Sequence, residues 1–449
     1  MEGTLSPLKG SEAAPEGPGR LRSASRHNFV LGVLNGIFFN IASSLISTSL
    51  VLPGLIRSLG GGNLLVGILP TIEQGGWLLP QLLVGARLQG WPRKMPLYRS
   101  TALLRALFFA GFSLAVALAG RLPPRWVLGA FFAFYTLYNL GAGVAGIPFQ
   151  EVVAKTVPPE RRGTFFGLRL FGGGAVTFLG VSWVVRTVLS EGSRWAFPQN
   201  YAFLFGLAFC FALGGLGTFS AIAEPPSTEL GEEGSLGMQL RRVPVIYREH
   251  RAVRRFLFYK VFSRLAQLAD PFYIVYAVEV LGAPSAVIGE YMAVVSGVQL
   301  LSYLLWSRLS DRRGNRLLLR WGSGLAMLAP PLSLVLPLLG RGLGLPPHGR
   351  AYLFAPVFVL SALGNAALNI ALGGYILEIL PERERPAGLG LVNTATGVVS
   401  LLMILGGGLA DLVGYPPLFA VAALTSTTAF ALSLPLVEPR PVQGNRRYA

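Results

Sequence analysis

The sequence predicts an all-α membrane protein of twelve transmembrane helices, arranged as two pseudo-symmetric six-helix bundles. Three observations carry that prediction. Charge is scarce and apolar residues come in long blocks. Basic residues alternate between heavy and light from one linker to the next. The chain also repeats itself at an offset of about 222 residues.

Composition comes first. Charged residues make up 13% of the 449-residue chain and hydrophobic ones 52%, with a mean hydropathy of +0.55. A soluble chain carries about 25% charged residues, so the bilayer is the natural solvent here. The formal net charge of +17 would suggest nucleic acid in a soluble protein. In a membrane chain it reads instead as loop arginine that fixes orientation and touches anionic headgroups, so no nucleic-acid partner is expected. Cys210 is the single cysteine and lies inside an apolar block, so no intramolecular disulfide can form. The histidines, His27, His250 and His348, sit apart in polar stretches, and no metal-ligand spacing is present. No cofactor motif is found. In particular there is no GxxxxGK[ST] loop, so ATP drive is not expected.

A spanning helix needs about 20 apolar residues. Twelve blocks meet this: 29–52, 64–86, 97–119, 126–148, 163–189, 200–222, 255–281, 286–307, 317–339, 351–376, 388–413 and 417–437. Residues 1–27 read as a disordered tail without the apolar core of a signal peptide. Residues 28–222 and 255–438 form the two bundles, 223–254 the central loop and 439–449 a second tail. The linkers on the side of the N-terminus carry Arg87, Arg93, Lys94, Lys155, Arg161, Arg162, Arg241, Arg242, Arg248, Arg251, Arg254, Arg255, Arg308, Arg312, Arg313, Arg316, Arg383 and Arg385, and the tail adds Arg440, Arg446 and Arg447. The opposite side holds Arg57, Arg121, Arg125, Arg194, Arg341 and Arg350. Positive charge marks the cytoplasmic side, which places both termini in the cytoplasm and requires an even number of spans.

The halves align. NLLVGIL at 63–69 resembles SAVIGEY at 285–291, and ARLQGWPRK at 86–94 stands opposite SRLSDRRGN at 307–315. TVPPERRGTFFG at 156–167 matches EILPERERPAGLG at 378–390. Three matches in order at one spacing indicate a duplicated unit, with the halves related by an axis along the membrane normal.

Two six-helix halves, a long basic central loop and the turn SRLSDRRGNR at 307–316 resemble the major facilitator superfamily of secondary transporters. The family's loop pattern is approximately G-x-x-x-D-R-x-G-R-R. Ser307, Asp311, Arg312, Gly314, Asn315 and Arg316 occupy it here, with Ser307 replacing the first Gly and Asn315 one Arg. PERRG at 159–163 and PERER at 381–385 resemble further family loops. In the family the Asp-bearing copy usually lies between spans two and three; here that loop reads GARLQGWPRK, and Gly90 stands opposite Asp311. The resemblance implies that Asp311 grips the partner half near Gly163, at the start of span five. A carboxylate at a helix N-terminus meets free N–H groups, which gives the grip its physical basis. The alternative is that Asp311 offsets its own arginines.

Ionisable groups deep in a span face a cavity or a partner. Glu73 lies roughly 13 Å from the outer face, near the midplane. Asp270 lies mid-span in helix seven, with a kink expected at Pro271. Both carboxylates read either as proton or cation couplers or as members of a structural ion pair. Arg105 and Arg264, in the cytoplasmic half, read as structural or gating residues, with anion binding as the alternative. Arg169 lies shallower, where it can snorkel towards the cytoplasm. Polar stripes add Asn40, Ser44 and Ser47 in span one and Tyr135, Tyr138 and Asn139 in span four. Ser263, Gln267 and Asp270 follow in span seven, Ser361, Asn365 and Asn369 in span ten, and Asn393, Thr396 and Ser400 in span eleven. Each set falls on one helical face. The resemblance places spans one, four, seven and ten around the central cavity, so these stripes read as a substrate path, against the alternative of interhelical hydrogen bonds. Trp77 reads as a filler of the bundle.

The function this implies is a secondary transporter working by alternating access, coupled to protons, with a small-molecule substrate and the lipid bilayer as partners. By resemblance it is a monomer in the inner cell membrane. The alternative is a non-transporting sensor or scaffold on the same fold. Catalytic spacing is nowhere visible, so an enzyme is not expected.

Overall fold

The computed structural model describes residues 18–88, 91–190, 192–227, 247–379 and 385–438. Twelve spans are formed by these residues. The first is Pro18–Leu45, and a short helix, Leu52–Ser58, leads to the second, Asn63–Leu88. The third is Met95–Ala117, the fourth Pro124–Thr156 and the sixth Gln199–Ser220. The fifth runs through Pro159–Val176, a π-turn at Thr177–Val181, and Ser182–Val188. The seventh comprises Arg251–Leu265, a 3₁₀ turn at Ala266–Ala269, and Asp270–Glu279. The eighth is Val287–Arg313 and the tenth Pro347–Ile379. The ninth is broken into Asn315–Ala326 and Ala329–Gly342, and the eleventh into Arg385–Leu401 and Ile404–Val413. The twelfth is Tyr415–Ser433.

Helix begins at Pro18, inside the segment 1–27 expected to be an unstructured tail. Neither proline nor glycine separates Leu21 from Leu31, so the helix of the first span extends backwards without a break. Of the described helices, ten are long and apolar enough to cross a membrane unaided. The second and seventh are the other two spans. They carry Glu73, Lys260, Arg264 and Asp270, and the seventh is interrupted just before Asp270–Pro271, where a proline cannot continue the hydrogen-bond ladder.

The duplication is visible in the packing. In the first half the third span packs on the fourth, the second on the fourth, the first on the fifth and sixth, and the third on the sixth. The second half repeats each contact six spans later: ninth on tenth, eighth on tenth, seventh on eleventh and twelfth, and ninth on twelfth. Turn geometry repeats too. Gly60 and Gly282, 222 residues apart, have φ of 77° and 73°, a conformation that suits glycine alone among common residues.

Both ends of the described chain lie on one face, here the termini face; the other is the far face. In the far-face half of the molecule one apolar core runs through both bundles, from Leu45, Leu55 and Phe112 to Tyr273, Tyr291 and Phe419. In the termini half the core divides. Met95, Phe165 and Phe219 belong to a cluster of the first bundle, and Phe256, Leu319 and Tyr375 to a separate cluster of the second. The bundles are therefore joined at the far face and parted at the termini face. Lipid-facing leucines such as Leu179, Leu301 and Leu412 remain exposed on the outside, as a bilayer allows.

Two helix crossings hold the joined end. The second span meets the eleventh, and the eighth meets the fifth. Glycines permit both. A Cβ on Gly407 would come 2.2 Å from the Asn63 carbonyl oxygen, and a Cβ on Gly289 would come 2.5 Å from that of Ser182.

Candidate functional site

Where the core divides, a cavity of about 460 Å³ lies between the bundles. The second span contributes Glu73, Gln74 and Trp77, and the segment after the first span adds Thr48 and Ser49. From the other half come Lys260, Ser263, Arg264, Gln267 and Asp270 of the seventh span, Gln299 of the eighth, Asn365 and Asn369 of the tenth, and Thr396 of the eleventh.

The break in the seventh span positions much of this. Residues 260, 264 and 267 are spaced by four and three and so share a helical face, and the 3₁₀ turn then re-aims the chain before Asp270. Asp270 opens the helix Asp270–Glu279, where a carboxylate suits the positive end of the helix dipole. Thr48 donates a hydrogen bond of 2.6 Å to the Glu73 carboxylate. Thr48 is also the residue 222 positions before Asp270, so Glu73 leans on the first-half counterpart of the second carboxylate.

A polar chain ties three spans together. Arg264 Nε donates to Ser400 Oγ at 3.0 Å, and Arg264 Nη1 donates to Gln267. Gln267 Nε2 reaches Asn365 Oδ1 at 3.4 Å, and Asn365 Nδ2 donates to Ser361 Oγ at 3.2 Å. Neither Lys260 nor Arg264 has a carboxylate within 4.0 Å among the described residues.

The sequence-derived candidates thus divide. Glu73, Asp270, Gln267, Asn365, Asn369 and Arg264 gather on the one cavity. Asn40 does not. Its Nδ2 donates to the Gly36 carbonyl at 2.8 Å, and its side chain fills the notch at Gly173, where a Cβ would come within 2.3 Å of it. Asn139 is buried, donates to the Tyr135 carbonyl at 2.8 Å, and packs against Gly76 at the crossing of the second and fourth spans. Both asparagines thus make backbone hydrogen bonds at close helix crossings, and Asn40 also lines a smaller cavity of about 70 Å³ that it shares with Ser44, Thr177 and Gln299.

Arg105 is buried beside this site. Its Nη2 donates to Tyr138 Oη at 3.1 Å, and its guanidinium lies over the rings of Phe39 and Tyr138, 5.1 and 4.8 Å from their centroids. Arg169 does not snorkel. It donates to the Gly32 carbonyl and, at 2.9 Å, to Asn35 Oδ1, and lies over Phe149 and Phe165. Arg105, Arg169 and Trp77 line a side cavity of about 150 Å³. Trp77 borders both cavities instead of filling the bundle.

In the termini-face motif, the Asp311 side chain and its expected partner region at Gly163 lie outside the described residues. Arg312 is exposed. Gly314, at φ 83°, makes the one-residue turn between the eighth and ninth spans, and a Cβ there would collide with the Glu438 carboxylate. Arg316 and Arg320 reach the Leu434 carbonyl at the end of the twelfth span, where a cation suits the helix C-terminus. Among the described residues Arg316 therefore binds its own bundle and not the other.

Polar contacts between the halves cluster on the far face. The Asp411 carboxylate of the eleventh span accepts the backbone N–H groups of Asn63 at 3.1 Å and Leu64 at 2.8 Å, capping the second span. Arg57 pairs with Glu279, and Arg186 with Glu290. Sequence reasoning missed Asp411, Lys260 and Gln299. For Lys260 a signal existed, its four-residue spacing from Arg264. Gln299 is 222 residues after Trp77, which the repeat could have flagged.

A family model described as Major Facilitator Superfamily matches residues 204–447. No curated protein matches the chain in sequence. Among solved structures, the chain resembles a D-xylose-proton symporter at a TM-score of 0.68 and 16% identity, over 92% of this chain and 98% of that one. It resembles a nucleoside transporter at 0.66 and 12%, over 92% and 100%, and a bacterial homologue of the iron transporter ferroportin in an inward-facing state at 0.63 and 14%, over 93% and 99%. At such identities the likeness is one of fold.

Proposed function

The chain belongs to the Major Facilitator Superfamily, and from that premise we propose that it is a secondary active transporter, not an enzyme, moving a small molecule by alternating access. The supporting observation is the cavity itself. It lies between the halves, takes side chains from both, and holds Glu73 and Asp270 with no cationic side chain within 4.0 Å of either among the described residues. Arg264 acts on both carboxylates through space, beyond ion-pair distance, and a carboxylate not locked in an ion pair can gain and lose a proton as its surroundings alternate between two aqueous sides. Proton coupling through Glu73 and Asp270 follows from that chemistry. The substrates named for the similar structures are a sugar, a nucleoside and iron, so they do not converge on one class.

By the positive-inside rule the termini face is cytoplasmic, so the state described here opens inward in the inner cell membrane. Residues such as Gln267, Asn365 and Asn369 contact the substrate, while Asp411, Arg57 and Glu279 close the outer side. Purified protein screened for thermal stabilisation across a metabolite library, followed by flux of the hits into proteoliposomes, tests this reading. Transport that an imposed pH gradient accelerates, and that Glu73→Gln with Asp270→Asn uncouples, supports it. Flux indifferent to both contradicts proton coupling through these carboxylates, and hits that bind without any flux contradict transport and favour a sensor on the same fold.

A further inference from the structure

The transport reading leaves the substrate's charge open, and the distribution of cations bears on it. Lys260 and Arg264 line the main cavity, and Arg105 and Arg169 line the side cavity that shares Trp77 with it as a wall. None of the four has a carboxylate within 4.0 Å among the described residues. Arg105 and Arg169 are steadied by aromatic rings and neutral oxygens, which hold a guanidinium without neutralising it. Lys260 has no hydrogen-bond acceptor among the described residues. Cations this far inside a membrane span are expected to have a partner.

Their placement has a direction. Lys260 is ten residues before Asp270 on the same span, roughly 15 Å nearer the termini face at the helical rise. A solute entering the parted end therefore meets Lys260 and Arg264 before it meets Asp270. With both carboxylates ionised the two cavities carry four positive charges against two negative, and each proton taken up widens the excess. Tyr135 near Glu73 and Tyr273 near Asp270 are the other titratable groups facing the carboxylates. Neither is anionic at neutral pH, so neither alters that balance.

We propose that the transported solute is a water-soluble organic anion, whose acidic group is held at Lys260 and Arg264 and whose charge is balanced by the protons carried on Glu73 and Asp270. This rests on the transport reading, and deepens it.

The test does not require the substrate to be identified. Asn369 lines the cavity and is exposed there, so Asn369→Cys in a Cys210→Ser background places one thiol in the site. Its rates with an anionic sulfonatoethyl and a cationic trimethylammonioethyl methanethiosulfonate are compared, each normalised to its rate with a free thiol. The anionic reagent is expected to be favoured at least several-fold, with Lys260→Gln collapsing the preference and Lys260→Arg retaining it. A preference for the cationic reagent, or one that Lys260→Gln leaves unmoved, overturns the inference while leaving the transport reading intact. Failure of both reagents to reach residue 369 from the termini face removes the open cavity, and with it both readings.

Discussion

Arg57 Nε lies 2.7 Å from the Glu279 carboxylate, and the two residues are 222 positions apart, the offset that relates the halves of the chain. Each is the counterpart of the other, so the pair joins equivalent points of the two bundles on the far face. Tyr415 Oη donates to the same carboxylate at 2.9 Å and accepts from Arg57 Nη2 at 3.0 Å. Exposed ion pairs contribute about 0.2–1 kcal/mol, too little to matter for folding. A conformational equilibrium between states of similar energy is moved by that amount. Glu279→Gln is therefore expected to leave thermal stability within about 0.5 kcal/mol of the parent. It should raise cysteine accessibility on the far face by up to several-fold, and the swapped pair Arg57→Glu with Glu279→Arg should restore the parent value.

Asp411 makes the second clasp by accepting two backbone N–H groups at the start of the second span. An N-terminal cap of this kind contributes about 1 kcal/mol. Asp411→Ala is expected to weaken far-face closure by about fivefold, and Asp411→Asn by less, because an amide oxygen still accepts one bond. Far-face labelling rates measure both.

Closure also requires the glycine crossing. A side chain at residue 407 has nowhere to go against Asn63 and Leu64, and overpacking of this kind costs about 1–3 kcal/mol. Gly407→Val should fold, hold the far face open and abolish flux. Gly408→Ala, whose Cβ would meet open space, should be silent in the same assay.

Away from the bilayer, Glu224 ties the end of the sixth span to the start of the third. It pairs with Lys155 at 2.5 Å and accepts the N–H groups of Lys94 and Met95. Burial alone would raise this carboxyl, but the hydrogen bonds from Lys155, Lys94 and Met95 outweigh it and hold it below its ordinary value. The unfolded chain then binds the proton more readily. The stability Glu224 contributes is complete above the ordinary carboxylate range and is lost as pH falls through the lower folded value. Glu224→Ala should cost about 1–3 kcal/mol at pH 7 and progressively less as the pH is lowered through the acid range, as thermal unfolding along a pH series will register.

The membrane class, the twelve spans and the duplication were legible in the sequence, because block length, loop charge and a constant offset are one-dimensional signals. The seventh-span stripe of Ser263, Gln267 and Asp270 was legible for the same reason: its period fixes a face, and the face does line the cavity. Period alone does not say what a face meets. The stripe containing Asn40 meets Gly173 and the one containing Asn139 meets Gly76, and only the three-dimensional crossing of two helices reveals those notches. Lys260 was obscured by the basic cluster before it, which reads as an orientation signal. Asp411 was obscured by its glycines, because its partners are backbone groups that leave no mark in sequence.

The central claim is that the two bundles rock about the cavity under the control of its carboxylates. Spin labels at Leu122→Cys and Leu343→Cys on the far face, and at Ser100→Cys and Arg312→Cys on the termini face, report it through pulsed electron-electron distances in a Cys210→Ser background; all four positions are exposed. Changing pH is expected to lengthen one distance as the other shortens, and Glu73→Gln with Asp270→Asn is expected to abolish the response. Distances that stay fixed across pH, or that change together in the double variant as in the parent, would contradict the account.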